Sequence, residues 1–384
     1  MKFILDLKKL LLLTLILSQT SIAGEYTIDT DQNIQYSGYV GYKHIFSDND
    51  VTTTFNRVGK PELGLNIIYN NENFQIFNQF RYGEDSGTYL VYNFMQYTFH
   101  LADDLNLSLR GGKLRHELGL YNTTRVNPKT RQGVIQPQAI YWDVFDEFLT
   151  SGVGVGAVLR YKDLELTYTI DDPTIIDKEK TTRAFYGPLL GDTVTEFGSH
   201  QNASVTYTPN KIPLIFKTTW TYLNHGSVTG PLMPFVYPNL VNKPIVSQAI
   251  TTGIEYRINN FIIAGEGIWF KSADRDWFPI GDLHRGLSIT GTYQITEHTD
   301  IRINYNEYRS QKADLFYAAA PWMGYSTDLN LGFNYHRNNW MVQAEGHYIQ
   351  GGRTVDTVDV TRGGNNLEAY KDWWMIGMNV VYFF

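Results

Sequence analysis

The strongest constraint on the fold comes from the last twelve residues, 373–384, because their apolar side chains alternate. Apolar side chains recur at every second position, at Trp374, Ile376, Met378, Val380, Tyr382 and Phe384. A period of two predicts a β-strand with one apolar face. An aromatic side chain stands at each end of that face, where the interfacial girdle of a membrane strand would lie. The stretch therefore predicts a terminal strand that faces lipid, and the terminal strand of a soluble β-sandwich is the alternative.

The first 23 residues have the features of a secretory signal peptide. Three lysines precede a short apolar run, and Ser21 and Ala23 put small side chains before a cleavage site. The apolar run is too short for a membrane-spanning helix, which needs ~20 residues. We therefore expect residues 1–23 to be removed and residues 24–384 to form one exported domain that begins at Gly24.

The same alternation recurs along the rest of the chain from Ile34 onward. Leu63, Leu65 and Ile67, for example, alternate with polar neighbours. The segments are about ten residues long, as tilted membrane strands are, and we expect about sixteen of them. Short connections rich in Asn, Asp and Pro are predicted at 70–73, 102–104, 162–163, 209–213, 259–260, 296–299 and 336–339.

Long polar connections alternate strictly with these short turns. They are predicted at 46–59, 83–87, 113–152, 171–199, 224–244, 271–284, 310–324 and 350–371. Alternating short and long connections are typical of an up-and-down barrel, and lipid excludes an open sheet edge. The predicted fold is all-β, a transmembrane antiparallel up-and-down β-barrel of about sixteen strands, which is wide enough for an aqueous lumen.

Composition excludes several functions. The chain has 39 acidic and 32 basic residues, which argues against nucleic-acid binding. It has no cysteine, so disulfides and thiol chemistry are excluded. Its nine histidines show no His-Glu-x-x-His spacing for zinc, and no Gly-x-Ser-x-Gly motif is present. We therefore expect no enzyme activity, no bound metal and no cofactor.

The third long connection, 113–152, is the most informative internal segment. A connection of about forty residues inside a compact domain is usually functional. The strand that follows it begins Gly152-Val153-Gly154-Val155-Gly156, and with its valines on the lipid side the three glycines face the lumen. Missing side chains allow another backbone to approach closely. We therefore expect the loop to fold into the barrel and pack on Gly152, Gly154 and Gly156; an external flap is the alternative.

Taken together, these features resemble Gram-negative porins. The features that resemble these proteins are the signal peptide, about sixteen strands, an inward third loop and the C-terminal Phe384. Gly112-Lys113-Leu114-Arg115 with Leu118-Gly119-Leu120-Tyr121 is also similar to the loop-three entry of phosphate-selective and related porins. The resemblance implies a homotrimer in the outer membrane, in contact with lipid and lipopolysaccharide. It also implies a water-filled channel for small hydrophilic solutes and ions, and barrel-assembly machinery that reads Tyr382 and Phe384.

The resemblance further implies that charged side chains of the loop form a pore constriction with those of the wall. The loop candidates are Arg115, Arg125, Lys129, Arg131, Glu117, Asp143, Asp146 and Glu147, and the wall candidates are Lys43, Arg81, Arg110 and Arg160. Rings of basic side chains favour anions, which predicts a weak anion preference. In the alternative, the arginines pair with the loop's own carboxylates and only brace it.

Two other functions remain open from the sequence. A substrate-specific channel for phosphate or other anions, sugars or aromatic acids is one, with Trp277-Phe278 and Trp322-Met323 as a stacking path. The other, less favoured, is a barrel enzyme.

Overall fold

The structure is a computed structural model that describes fourteen ranges of the chain. These are residues 24–29, 32–47, 58–83, 87–125, 127–131, 133–141, 151–173, 194–195, 198–224, 228–229, 246–272, 283–310, 325–351 and 372–384. No helix in these ranges is long and apolar enough to cross a membrane. The predicted signal peptide lies outside the described residues, so its cleavage after Ala23 stays a prediction.

All regular elements in the described ranges are β-strands. They are β1 (Gly24–Asp29), β2 (Gln32–Ser47), β3 (Val58–Asn71), β4 (Phe74–Gly83), β5 (Gly87–Ala102), β6 (Leu105–Arg115), β7 (Ser151–Tyr161), β8 (Leu164–Pro173), β9 (Val194–Thr195), β10 (His200–Tyr207), β11 (Leu214–Asn224), β12 (Val228–Thr229), β13 (Val246–Ile258), β14 (Phe261–Ser272), β15 (Leu283–Thr296), β16 (Thr299–Ser310), β17 (Tyr325–Arg337), β18 (Trp340–Gly351) and β19 (Asp372–Phe383).

Sixteen of these strands close into one antiparallel barrel. Each pairs with its neighbours along the chain, β8 pairs with β10 and β11 with β13, and β19 pairs with β2 to complete the ring. The two-residue strands β9 and β12 pair with each other and join two of the long connections. The predicted barrel of about sixteen strands is confirmed, and a sandwich is excluded because the ring of sixteen strands is closed.

The two ends of the described chain meet on β2. Phe384 and Gly38 exchange two backbone hydrogen bonds, of 2.8 and 3.0 Å. β1 pairs with the next part of β2, with Gly24 opposite Tyr36, so it continues the line of β19. The alternating pattern did not predict β1, because Gly24–Asp29 is mostly polar. The C-terminal residue is therefore part of the barrel's closing seam.

The seven predicted short turns all lie between paired strands. Lys162, Asn259 and Asn338 each open a two-residue turn with φ between 50° and 53°. This left-handed conformation suits tight hairpins, and Asn adopts it more readily than most residues. The strand ends that flank the long connections all lie at the other end of the barrel, which is the arrangement that the sequence predicted.

The two faces of the strands differ as predicted. Trp374, Ile376 and Met378 of β19 are 42–59% exposed on the outer face. Met375 and Asn379 lie on the opposite face of the same strand. Each is at most 1% exposed and points into the barrel. An outer apolar band and a polar interior are what a barrel in lipid requires. Charged inward residues that are buried include Glu62, Lys217, Glu255, Arg302, Asp328 and Glu345.

Candidate functional site

The third loop begins three residues later than the sequence predicted, at residue 116 instead of residue 113. Lys113, Leu114 and Arg115 still pair with β7, so the loop proper starts at His116 and spans 116–150. Within this pairing Gly112 takes a φ of 128°, which other residues adopt only with strain. Within the loop, residues 116–125, 127–131 and 133–141 are described.

The start of the loop is bound to the wall formed by β10 and β11. The Lys217 Nζ lies 2.5 Å from Glu117 Oε2, and the Asn202 Nδ2 donates to the Glu117 carbonyl at 2.5 Å. Burial by itself would raise the pKa of Glu117, but the charge and hydrogen bond of Lys217 outweigh it and lower that pKa. Glu117 therefore stays ionised at neutral pH and anchors the loop through a buried ion pair.

The next residues of the loop are held by β13 and β14. The Leu120 N–H donates to Glu266 Oε1 at 2.7 Å, and the Tyr141 hydroxyl donates to the same oxygen at 2.5 Å. The Tyr121 hydroxyl donates to Glu255, and its N–H donates to the Tyr141 hydroxyl at 2.8 Å. Burial, followed by the charge of Glu266, raises the pKa of Tyr141, so the hydroxyl remains a donor. The outgoing and returning limbs of the loop therefore meet on one wall carboxylate.

The middle of the loop reaches the wall of β16 and β18. The N–H groups of Val134 and Ile135 donate to the two oxygens of Glu345, at 3.2 and 2.6 Å. The Arg302 Nη2 lies 2.6 Å from Glu345 Oε2. Gly133 has a φ of 116°, and a side chain there would collide with Arg302. These contacts satisfy a buried carboxylate that would be unfavourable alone.

Apolar packing adds to these polar contacts. Val134 and Ile135 form a buried cluster with wall residues of β2, β18 and β19, namely Ile45, Ile349, Trp373 and Met375. Ile140 and Tyr141 form another with Ala249 and Ile268 of β13 and β14. The loop is thus fastened to walls on several sides of the lumen. The predicted inward fold of the third loop is confirmed, and the external flap is excluded.

The loop meets the basic part of the wall at Glu62 of β3. This buried carboxylate lies 3.8 Å from Lys43 Nζ, 3.2 Å from Arg81 Nη2 and 3.4 Å from Arg131 Nη2. Arg131 comes from the loop, and Lys43 and Arg81 come from β2 and β4. Three cations around one carboxylate leave an excess of positive charge at this point. We call Lys43, Glu62, Arg81 and Arg131 the basic cluster.

The other basic candidates lie apart from the basic cluster. Arg115 stacks over the rings of Phe77 and Tyr92, at 4.4 and 4.3 Å from their centroids. Arg110 lies over Phe94 at 5.5 Å and donates to Gln96 at 2.7 Å. Cations stack on aromatic faces in this way when they are partly desolvated. Together these residues form a basic and aromatic patch on β4, β5 and β6.

The remaining candidates have varied surroundings. Arg125 is buried and donates to Asn122 within the loop at 3.3 Å. Lys129 is exposed, with its Nζ 5.9 Å from the ring centroid of Phe383. Arg160 pairs with Glu165 at 2.6 Å near a short turn. The predicted loop carboxylates Asp143, Asp146 and Glu147 lie outside the described residues, as do the aromatic pairs at 277–278 and 322–323.

The three glycines of β7 lie close to the neighbouring strands. The atoms closest to where side chains would begin at Gly152 and Gly154 belong to Asp171 and its neighbours in β8. At Gly156 the closest atoms are those of Thr169, Tyr168 and Leu114. In the described residues, the neighbouring strands therefore supply the atoms closest to these glycines. The expectation that the loop packs on Gly152, Gly154 and Gly156 stays a prediction.

Sequence reasoning missed the residues that hold the loop. Glu266 and Glu345 are bound to loop atoms 146 and 211 residues away in the chain. The alternation around Glu345 is compatible with an inward side chain but carries no information about its partner. It also missed that His116, Asp171 and His200 come together. Contacts across a lumen depend on how the barrel closes. The local alternation of apolar and polar residues does not predict which residues that closure brings together.

Comparison with known proteins gives a consistent result for the fold. No protein-family model matches the chain, and no curated protein matches it. Among solved structures, Salmonella typhi OmpF in complex with daunomycin is similar, with a TM-score of 0.61 at 12% identity, over 94% of this chain and 100% of that one.

Two further solved structures are similar. The outer membrane channel DcaP of Acinetobacter baumannii has a TM-score of 0.57 at 11% identity, over 94% of this chain and 100% of that chain. The trimer form of OmpT, an outer membrane protein of Vibrio cholerae, has a TM-score of 0.56 at 11% identity, over 92% of this chain and 100% of that chain. At such identities the likeness concerns the fold alone: this chain is a closed sixteen-stranded antiparallel β-barrel, and the similar structures are those of outer-membrane porins and channels.

Proposed function

We propose that the protein is an outer-membrane porin rather than an enzyme. It forms a water-filled channel through which small hydrophilic solutes and ions diffuse passively, with a weak preference for anions. The observation that carries this proposal is the third loop, which is bound inside a sixteen-stranded barrel by Glu266, Glu345 and Glu62. A barrel of this size has room for water, and a loop anchored within it narrows the passage.

The exposure of inward side chains supports a path along β2 to β7. The side chains of Lys43 and Arg81 are 21% and 18% exposed, and Arg160 is 50% exposed. On the opposite wall, the side chains of Arg302 and Glu345 are at most 5% exposed, because the loop covers them. We therefore place the aqueous path between the loop and the wall of β2 to β7.

The charge along this path supports an anion preference. The basic cluster has three cations and one carboxylate. Arg110 lies on β6, farther along the same wall. Fixed charges act strongly where a constriction limits screening by water and salt. An anion passing the basic cluster is therefore stabilised relative to a cation of equal size.

A bilayer recording of the purified mature chain tests this function. Stepwise conductance should appear, and in a potassium chloride gradient the reversal potential should have the sign of chloride preference. Folded protein that gives no conductance steps would contradict the channel. Steps with a clear cation preference would contradict the selectivity alone.

A homotrimer in contact with lipid and lipopolysaccharide, inserted by barrel-assembly machinery, completes the proposal. Asn78 and Asn93 hydrogen-bond to each other at 2.5 Å, at strand positions that share the outer face with Ile76 and Met95. Amides facing hydrocarbon are unfavourable, whereas a subunit contact accommodates them. The trimer form of the Vibrio cholerae OmpT structure agrees with this arrangement.

The basic and aromatic patch favours a second candidate, a channel specific for aromatic acids. Arg115 and Arg110 lie over Phe77, Tyr92 and Phe94 on the proposed path. An aromatic carboxylate could pair with a guanidinium and stack beside a ring. Benzoate, compared with acetate, distinguishes the two functions. If benzoate blocks the chloride current in a saturable way and acetate does not, the channel is specific. If both anions change the current equally and in proportion to their concentration, the channel allows general diffusion.

A further inference from the structure

Three buried side chains meet where the third loop leaves the barrel wall. His116 is the first residue of the loop, Asp171 lies in β8 and His200 begins β10. The His116 Nε2 lies 2.8 Å from Asp171 Oδ1, and the His200 Nδ1 lies 3.2 Å from both oxygens of Asp171. The three side chains are at most 2% exposed. The fold has therefore gathered two imidazoles and one carboxylate in a dry place.

The spacing of these groups is that of a metal site. One ligand atom from each residue can be chosen so that all lie within 4.8 Å of one another. A tetrahedral zinc ion with bonds of about 2.0–2.1 Å holds its ligand atoms about 3.3 Å apart. Small adjustments of the side chains would suffice to reach this geometry. Two protein nitrogens and one oxygen would leave a fourth position for water.

The choice of ligands selects the kind of cation. Imidazole nitrogen binds zinc, copper and nickel well, whereas calcium and magnesium prefer sites made of oxygen atoms. A divalent cation bound by two neutral imidazoles and one carboxylate leaves a single net positive charge.

Neighbouring residues support the cluster. A side chain at Gly152 would collide with the carboxylate of Asp171, so the glycine gives this carboxylate its space. The Asn122 Nδ2 donates to the His116 carbonyl at 2.9 Å and fixes the backbone of this ligand. Residues that orient metal ligands in this way raise the affinity of a site. Gly152, which the sequence singled out as part of a wall for the loop, acquires a different role here.

We propose that His116, Asp171 and His200 bind one divalent transition-metal ion of the zinc type. The ion joins the first residue of the third loop to β8 and β10. It therefore fixes the position from which the loop enters the lumen, on the side opposite the short turns. Binding of the ion does not require the channel function, so the two can be tested separately.

Zinc titration of the mature chain tests the site. Protein without a histidine tag is folded in detergent, treated with EDTA and titrated with zinc by calorimetry. We expect one ion per chain. His200→Ala and the isosteric Asp171→Asn should each weaken binding by at least about tenfold, as loss of a ligand or its support does. Circular dichroism and heat-modified gel mobility show whether each variant is folded.

An exposed histidine pair provides the matched control. The rings of His298 and His336 lie 6.0 Å apart beside Glu297, near the short turns. The double variant His298→Ala with His336→Ala should leave zinc binding unchanged. Loss of binding in this control, or equal binding in His200→Ala, would overturn the proposal. So would folded, unaltered protein that binds no zinc.

A measurement on the unaltered protein covers the case in which the variants do not fold. Hydrogen exchange at the imidazole C2 position, followed by mass spectrometry, slows when the ring binds a metal. Zinc should slow exchange at His116 and His200. The exchange rate of His284, a buried histidine that is hydrogen-bonded to Tyr308, should not change. Equal slowing at all three, or no slowing at His116 and His200, would contradict the site.

Discussion

Arg131 in the middle of the third loop places its Nη2 3.4 Å from Oε2 of Glu62, a wall residue 69 positions earlier in the chain. The partner that the structure describes for this arginine is thus on the barrel and not on the loop. Glu62 also contacts Lys43 and Arg81, which are more exposed to the lumen than Arg131. The loop arginine therefore holds the loop against the wall, whereas the side chains of the two wall cations stay partly exposed to the lumen.

The first prediction separates these two roles. Arg81→Gln should lower the anion-to-cation permeability ratio, because it removes a charge from the aqueous path, and the open-channel current should stay quiet. Arg131→Gln should instead release the loop and give larger or noisier conductance. Reversal potentials and current noise in bilayers measure the two effects. Lys211→Gln, in an exposed short turn, is the control and should change neither. The same selectivity change in Arg131→Gln with no added noise would mean that Arg131 lines the pore.

The second prediction concerns Glu345, which accepts hydrogen bonds from two loop N–H groups and from Arg302. Glu345→Gln leaves a buried guanidinium without its counter-charge, and breaking such a pair costs about 3–5 kcal/mol. Unfolding in denaturant measures this loss, and faster trypsin cleavage after Lys129 reports release of the loop. Glu165→Gln, which breaks the exposed pair with Arg160, should cost no more than about 1 kcal/mol. Equal losses in the two variants would show that Glu345 is not an anchor.

The third prediction is a pH dependence of the loop anchor. The pKa of Glu117 is lowered in the folded protein, since the charge of Lys217 outweighs the effect of burial. The ion pair therefore contributes its full stability above the ordinary glutamate pKa of 4.5, and this stability is lost as the pH falls through the lower folded value. Current noise from loop motion should therefore rise as the pH is lowered from pH 5 to below the folded pKa of Glu117, which is lower than 4.5. Glu117→Gln should be noisy at both pH values, and a quiet variant would contradict the anchor.

The alternating pattern was sufficient for the barrel because strand faces and turns are local properties. Trp374, Ile376 and Met378 were assigned to lipid from their spacing alone, and their exposure agrees. The strand count and the alternation of short and long connections follow from the same period. The polar segment Gly24–Asp29 has no such period, which is why β1 was not predicted.

The site was less predictable because its contacts join distant residues. Val134 and Glu345 are 211 residues apart, and His116 and Asp171 are 55 apart. Their approach depends on barrel closure and on the path of the loop across the lumen. The sequence correctly placed charged residues on inner faces, but it could not say which of them the loop would cover.

The fourth prediction tests the two faces of β19. Met378→Lys should cost about 2–4 kcal/mol if this outward side chain lies at the middle of the membrane, and Met378→Leu should be nearly neutral. Asn379 faces inward but is fully buried and donates to Gln343 at 3.2 Å. Asn379→Lys should therefore also destabilise the barrel, since it buries an unpaired charge. Unfolding in urea in the presence of lipid vesicles measures all three variants. A harmless Asn379→Lys would show that water reaches this side of the lumen.

The fifth prediction tests the proposed subunit contact, and the absence of cysteine makes the test simple. Asn78→Cys introduces one thiol on the outer face of β4, and Ile289→Cys introduces one on the outer face of β15, across the barrel. If the face with Asn78 and Asn93 lies at the contact between copies, a short bifunctional thiol reagent should cross-link Asn78→Cys into dimers and trimers in membranes. Ile289→Cys, which is about half exposed and faces lipid, should remain monomeric under the same treatment. Diluting the labelled protein with unaltered chain should reduce the cross-linked products, as expected for contacts between identical subunits. Cross-linking at Ile289→Cys alone would place the contact on the opposite face, and cross-linking at neither would argue against a trimer built on these strands.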